Sequence, residues 1–284
     1  MRRLSRWIAL RNEVKEKLVS ASNRTAVSFP LGAQMIRKSA KGGRAVYGEA
    51  IGVLVLDTSF PRIPGDVGNA TTFDFPVRYH VIDAATPDKI VSEADRARAL
   101  LPAFIEGARL LEKQGVRAIT TTCGFLTIMQ KEIAAAVSVP VVTSSLFLIP
   151  LLHAMFGAER SIGVITAHSG RLSPEHLIAA GVQPDWAVPV RGLEESPAFS
   201  RAIFGNADHC IEMDVDQVAA EVVAACRKLV EDFPSIGCIV FECTNLQPYA
   251  AAVQADIGLP IFGIYHLVNL LQSGIVCPRF SGYM

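Results

Sequence analysis

At 284 residues, 50% hydrophobic and only 19% charged, the chain can bury a large core across two domains, and its composition excludes intrinsic disorder. Lys and Arg balance Asp and Glu at 27 each, no basic patch with interleaved aromatics marks a nucleic-acid surface, and no apolar run reaches membrane-spanning length. Six cysteines without Cys-x-x-Cys spacing, and no His-x-x-x-His, read as reduced thiols rather than a disulfide framework or a structural zinc site.

Charge is uneven along the chain. Residues 1–45 hold eleven Lys or Arg against Glu13 and Glu16, a balance of +9 that leaves −9 for the remainder. Two readings stand for this extension: a solvated basic leader, or a basic amphipathic helix built on Leu4, Ile8, Val14 and Leu18. Met35 is a candidate start, and residues 1–34 are expected to be dispensable for catalysis.

Residues 50–56 form a near-continuous apolar run, the pattern of a strand buried on both faces of a parallel sheet. The run ends at Asp57. Residues 58–72, with Pro61, Pro64, Gly65 and Gly68, predict a long loop, which in a compact domain is usually functional. A second strand is predicted over 76–82. Residues 92–114 read as a helix with Ala97, Leu101, Phe104, Ala108 and Leu111 on one face, kinked or split at Pro102. Then follow strand 116–122, helix 125–137, strand 139–143 and helix 146–156. The second half repeats the plan: strand 161–166, a helix opening at Pro174, a mixed stretch over 188–204, and a helix capped by Asp214 or Asp216 with Val218, Val222, Cys226 and Leu229 inside. Strand 236–241, strand 260–264 and helix 266–273 complete it. Strands alternating with helices predict an α/β fold of parallel sheets, each flanked by helices.

The two halves match in detail. Cys123 and Cys243 lie 120 residues apart, each ends an apolar run, and each is followed 17 residues later by a proline, Pro140 or Pro260, that opens another. Ile51-Gly52-Val53 and Ile162-Gly163-Val164 correspond at an offset of 111, as do their polar ends, Asp57-Thr58 and His168-Ser169. Packing alone explains a single buried cysteine, and that reading is kept for Cys210, Cys226, Cys238 and Cys277. Two thiols at matched positions call for chemistry on opposite faces of one carbon. Ligands of open parallel sheets bind beyond the carboxyl ends of the strands. A helix beginning at each cysteine would lower its thiol pKa and offer N–H groups to a substrate carboxylate. Glu242, beside Cys243, would act the other way by like-charge repulsion.

Thr122-Cys123-Gly124-Phe125 and Cys243-Thr244-Asn245, in two halves of an α/β chain, resemble the aspartate/glutamate racemase superfamily, over about residues 46–284. That group includes aspartate, glutamate and hydantoin racemases, maleate cis-trans isomerases and arylmalonate decarboxylases. The stretch Leu56-Asp57-Thr58 through Gly65-Asp66-Val67-Gly68-Asn69 resembles an uncharacterised racemase-like branch. Glutamate racemases carry Cys-Asn-Thr and Cys-Thr-His; this chain has Cys-Gly-Phe and Cys-Thr-Asn, the latter similar to maleate isomerases. The resemblance implies two pseudo-symmetric lobes, drawn as residues 46–147 plus 264–284 and residues 148–263, with the site between them.

It further implies a cofactor-independent, metal-free racemase or epimerase acting at the α-carbon of a small carboxylate, amino acid or hydantoin-like. Cys123 and Cys243 would be the acid/base pair. Thr58, Thr122, Gly124, Phe125, Thr244 and Asn245 would contact substrate. Asp57 and His168 either tune the thiols or merely cap their strands, and Ser144 and Ser145 either hold a carboxylate or cap helix 146–156. Arg62 meets an acid group or solvent, and His266 is a cap or a core residue. A cis-trans isomerase or decarboxylase using one cysteine, and a non-catalytic small-molecule binder, are the alternatives. A cytoplasmic location is expected, without nucleic-acid or membrane partners and with room for a homo-oligomer.

Overall fold

A computed structural model describes residues 42–83, 85–205 and 211–283, so the readings for residues 1–41 and for Cys210 lie outside the described residues. Arg44–Met284 forms one compact unit. Eight strands are arranged in two sheets: β1 (Ile51–Leu56), β2 (Val77–Ile82), β3 (Ala118–Thr121) and β4 (Val141–Val142) in the first, and β5 (Ser161–Thr166), β6 (Val190–Gly192), β7 (Ile236–Phe241) and β8 (Ile261–Phe262) in the second. Their orders are β2-β1-β3-β4 and β6-β5-β7-β8, every pairing is parallel, and the same connectivity is therefore laid down twice.

All residues of β1, β3, β5 and β7 are buried, as expected for central strands covered by helices on both faces. Gly52 and Gly163 mark the repeat physically. A Cβ at Gly52 would come 3.0 Å from Leu111, and one at Gly163 would come 3.0 Å from Ile236, so in each half a missing side chain lets the neighbouring layer pack close.

Pro102 does not kink a single helix. The chain forms Ala94–Arg98 and then Leu101–Gln114, with the proline in the first turn of the second, where its missing N–H leaves no bond unmade. Gly115 closes that helix at φ 100°, a left-handed cap that favours glycine. Helix Val215–Asp232 is capped by Asp214, whose carboxylate accepts from the Gln217 N–H at 3.0 Å, and it buries Val218, Val222, Cys226 and Leu229. Cys226 and Cys238 are core residues, while Cys277 is exposed. The mixed stretch over 188–204 resolves into β6 and helix Pro197–Phe204.

The segments after the two cysteines differ from expectation. Each starts as a 3-10 turn, Gly124–Met129 or Thr244–Tyr249, and only then becomes α-helix, Gln130–Ala135 or Ala250–Ile257. Thr127 bonds its hydroxyl back to the Gly124 carbonyl at 2.5 Å, and Pro248 has no N–H to give, so local chemistry in both halves weakens the α-helical ladder.

Candidate active site

β3 and β7 hold the same position in their sheets, and their carboxyl ends carry Cys123 and Cys243 into the wall of one cavity. The enclosed space is small, about 20 Å³, room for a water or two, so a substrate needs the wall to give. Both cysteines are 8% exposed, and each is the N-cap residue of the 3-10 turn that follows it. Thr58, Arg62, Thr122, Glu242 and Asn245 supply polar groups to the wall; Leu56, Phe60, Phe125, Ala167 and Ile203 supply much of its apolar surface.

Hydrogen bonds across the unit hold the wall in place. The Thr244 hydroxyl donates to the Thr122 carbonyl at 2.7 Å, and the Ser145 hydroxyl to the Phe241 carbonyl at 2.6 Å. The Thr122 hydroxyl accepts from the Leu56 N–H at 3.0 Å. From the long loop, the Arg62 guanidinium lies over the Phe60 ring and donates to Thr58 at 3.0 Å and to Asp66 at 2.8 Å. Asp66, 3% exposed, also accepts from the Gly68 N–H at 2.7 Å and from the Asn245 amide at 2.6 Å. The Cys243 thiol donates to the Asn245 oxygen at 3.4 Å. A chain of contacts thus runs from Arg62 to one of the two thiols.

Glu242 is fully buried in the same wall. One carboxylate oxygen accepts from the Thr166 hydroxyl at 2.7 Å; the other has no hydrogen-bond partner among the described residues and lies against Gly124. Burial pushes this carboxyl up to about 7, with the Thr166 bond opposing the shift. The thiols follow the same physics. Burial, and then the Glu242 charge, push Cys123 far above the ordinary thiol value, against the pull of the Phe125 N–H and Arg62. Burial and Glu242 likewise raise Cys243, with the Asn245 N–H opposing. The lowering expected from a helix start is therefore absent. Each turn supplies one N–H bond to its sulfur, too little to offset desolvation beside an acid.

Of the residues singled out in the sequence, Thr58, Thr122, Cys123, Gly124, Phe125, Cys243 and Asn245 line the cavity. Thr244 and Ser145 sit behind it, as ties. Ser144 is buried and accepts from the Leu146 N–H at 3.2 Å, the capping alternative. Asp57 is exposed and outside the wall, its N–H bonded to the Ala85 carbonyl at 3.1 Å. His168 also lies outside the wall, 3.8 Å from Glu194, although its neighbour Ala167 reaches in. His266 accepts from the Gly263 N–H at 3.2 Å and acts as a cap. Asp66 was not legible as a site residue: nothing in its local sequence says that its partner is 179 residues away.

The family described as Asp/Glu/hydantoin racemase matches residues 72–267. The chain is 32% identical over 238 residues to a dimethylsulfoniopropionate lyase of Durusdinium sp. clade D, covering 82% of this chain and 77% of that relative. Among solved structures it is similar to arylmalonate decarboxylase, with a TM-score of 0.51 and 18% identity over 79% of this chain and 93% of the other. It is similar also to a glutamate racemase of Bacillus anthracis, with a TM-score of 0.52 and 16% identity over 80% and 82% of the two chains. At such identities the structural likeness is one of fold. Two parallel sheets flanked by helices match the α/β fold of these neighbours.

Proposed function

The chain belongs to the Asp/Glu/hydantoin racemase family, and from that premise we propose that it is a lyase acting on a propionate with a sulfonium group at its β-carbon, of which dimethylsulfoniopropionate is the simplest. The identity of 32% to a lyase of that name, over 82% of this chain, carries the reading. It departs from the racemase or epimerase that the sequence motifs alone suggest, yet begins with the same step. One cysteine thiolate takes the α-proton. The C–H electron pair becomes the new double bond, the bond from the β-carbon to sulfur breaks with its electrons going to sulfur, and acrylate and dimethyl sulfide leave. The proton on the thiol then passes to solvent.

The site suits such a step. A thiolate formed in this dry wall is a stronger base than one in water, because what raises its pKa also raises its affinity for a proton. Arg62, held by Asp66 and Thr58, brings a cation to the wall where the substrate carboxylate is to be neutralised. Elimination needs one base, whereas racemisation needs two. The presence of both thiols on one cavity supports the second reading, a cofactor-independent racemase, isomerase or decarboxylase of a small carboxylate.

The test is to incubate the full chain with dimethylsulfoniopropionate and measure dimethyl sulfide in the headspace and acrylate by proton NMR. Amino acids, hydantoins and dicarboxylates are screened in parallel for α-proton exchange in D₂O. Release of both products supports the lyase. Exchange without any dimethyl sulfide overturns it in favour of the racemase class.

A further inference from the structure

Among the residues lining the cavity, Arg62 is the one cation and Glu242 the one carboxylate, and they are satisfied very differently. Arg62 has two acceptors, and its partner Asp66 accepts three hydrogen bonds. Glu242 has only the Thr166 hydroxyl, on one oxygen; its second oxygen is buried with nothing to bond among the described residues. An ionised carboxylate in that setting is costly unless a cation joins it. Protonation removes the charge but still leaves this oxygen without a partner among the described residues. Gly124 gives this oxygen its room: any side chain at that position would collide with it. Phe125, Ala167 and Ile203 contribute apolar surface to the same wall.

We propose that Glu242 is the recognition subsite for a methylated onium group, sulfonium or quaternary ammonium, whose positive charge completes the half-satisfied carboxylate while its methyl groups rest on the apolar wall. This rests on the lyase reading and deepens it. A zwitterion of one carboxylate and one onium group matches the two opposite charges of the wall, Arg62 and Glu242. An onium centre has no N–H or O–H to donate. It therefore suits an oxygen flanked by apolar surface better than a lysine or a water would; such groups are commonly held against aromatic faces, and Phe125 lines the same wall.

The experiment is a binding titration with β-alanine betaine, which carries a poor leaving group, and with its uncharged tert-butyl isostere, of the same shape. The wild-type protein should prefer the betaine by about tenfold or more, the effect of one desolvated charge pair. In Glu242→Gln the preference should fall below about threefold, and in Glu242→Asp, where the charge is withdrawn by one methylene, it should fall part of the way. A wild-type protein that binds the two alike, or only the isostere, overturns the subsite with no variant needed. So does a folded Glu242→Gln that keeps the full preference. Because neither ligand is turned over, the result is separate from that of dimethyl sulfide release: a missing preference beside active release sinks the subsite alone, and a clear preference without release sinks the lyase alone.

Discussion

Asn245 donates its amide N–H to Asp66 at 2.6 Å and, with its remaining oxygen, accepts the Cys243 thiol proton at 3.4 Å. A carboxylate only accepts, so Asp66 fixes which end of the amide faces the sulfur. The end that faces it stabilises the thiol and offers nothing to a thiolate. Cys123 is followed by Gly124 and Phe125 and has no corresponding amide. The two matched cysteines are thus chemically unequal, and the inequality originates in the long loop.

Asp66→Asn should release this lock. With the amide free to turn its N–H toward sulfur, alkylation of Cys243 by iodoacetamide at pH 8 is expected to rise several-fold, read by mass spectrometry of the labelled peptide. Asn245→Ala in the same background should abolish the gain, a coupling that a double-mutant cycle isolates. The change also strands Arg62 beside a neutral partner; the pair's side chains are 13% and 4% exposed, so a stability loss of about 3 kcal/mol is expected. Unchanged Cys243 reactivity in a folded Asp66→Asn protein would refute the lock.

Serine replacements divide the work between the thiols. If Cys243 holds its proton and Cys123 is the base, Cys123→Ser should lower dimethyl sulfide release by about 10²–10⁴, the usual weight of one acid–base group. Cys243→Ser should lower it much less. The reverse order would assign the base to Cys243, and equal large losses would mean that elimination needs both thiols.

Stability should depend on pH through Glu242. Its folded-state value is raised from 4.5 to about 7, so the folded protein holds this proton more tightly than the unfolded chain does. The stability it contributes is fully present below about 4.5 and is lost as pH rises through about 7, on the order of 3 kcal/mol in all. Urea midpoints measured at pH 5 and pH 8 should fall in the wild type and fall less in Glu242→Gln. A variant with the wild-type slope would show that another group is responsible.

Gly124→Ala tests the room given to that carboxylate. A Cβ there would meet the Glu242 side chain and stand 2.5 Å from its backbone carbonyl, a contact that backbone cannot easily relieve. A loss of about 1–3 kcal/mol is expected from overpacking, with a larger fractional loss of turnover, measured by thermal melts and headspace assay. A neutral substitution would mean that the turn after Cys123 yields readily.

Thr244→Val and Ser145→Ala each leave a buried carbonyl, of Thr122 or Phe241, without its hydroxyl donor. Each should lower stability by about 1–3 kcal/mol, the cost of an unsatisfied buried acceptor. Denaturant titration would show it.

What could be read from the sequence was whatever is local or periodic. The buried run of β1 and the capped face of Val215–Asp232 express local patterning and the matched cysteine spacing a repeat, and each appears in the fold. The 3-10 turns were missed because Thr127 and Pro248 act against a helical pattern that is otherwise sound. Asp57 and His168 looked alike as polar strand ends, but pattern fixes an end and not a side-chain direction, and the cavity took their neighbours Leu56, Thr58 and Ala167 instead. Arg62 and Asp66 sit in a loop without periodicity, where only tertiary contact gives them meaning.

The ties between Thr244 and Thr122 and between Ser145 and Phe241 join the ends of the central strands directly behind the thiols. Parting the halves there would break both bonds, which makes the loop that carries Thr58, Phe60 and Arg62 the expected way in for a ligand. The doorway and the anion-binding cation would then be one segment, and any substitution that widened the entrance would loosen the grip on the substrate's carboxylate. Admission and affinity would drift together through evolution, which confines this scaffold to small guests unless the loop is replaced as a whole.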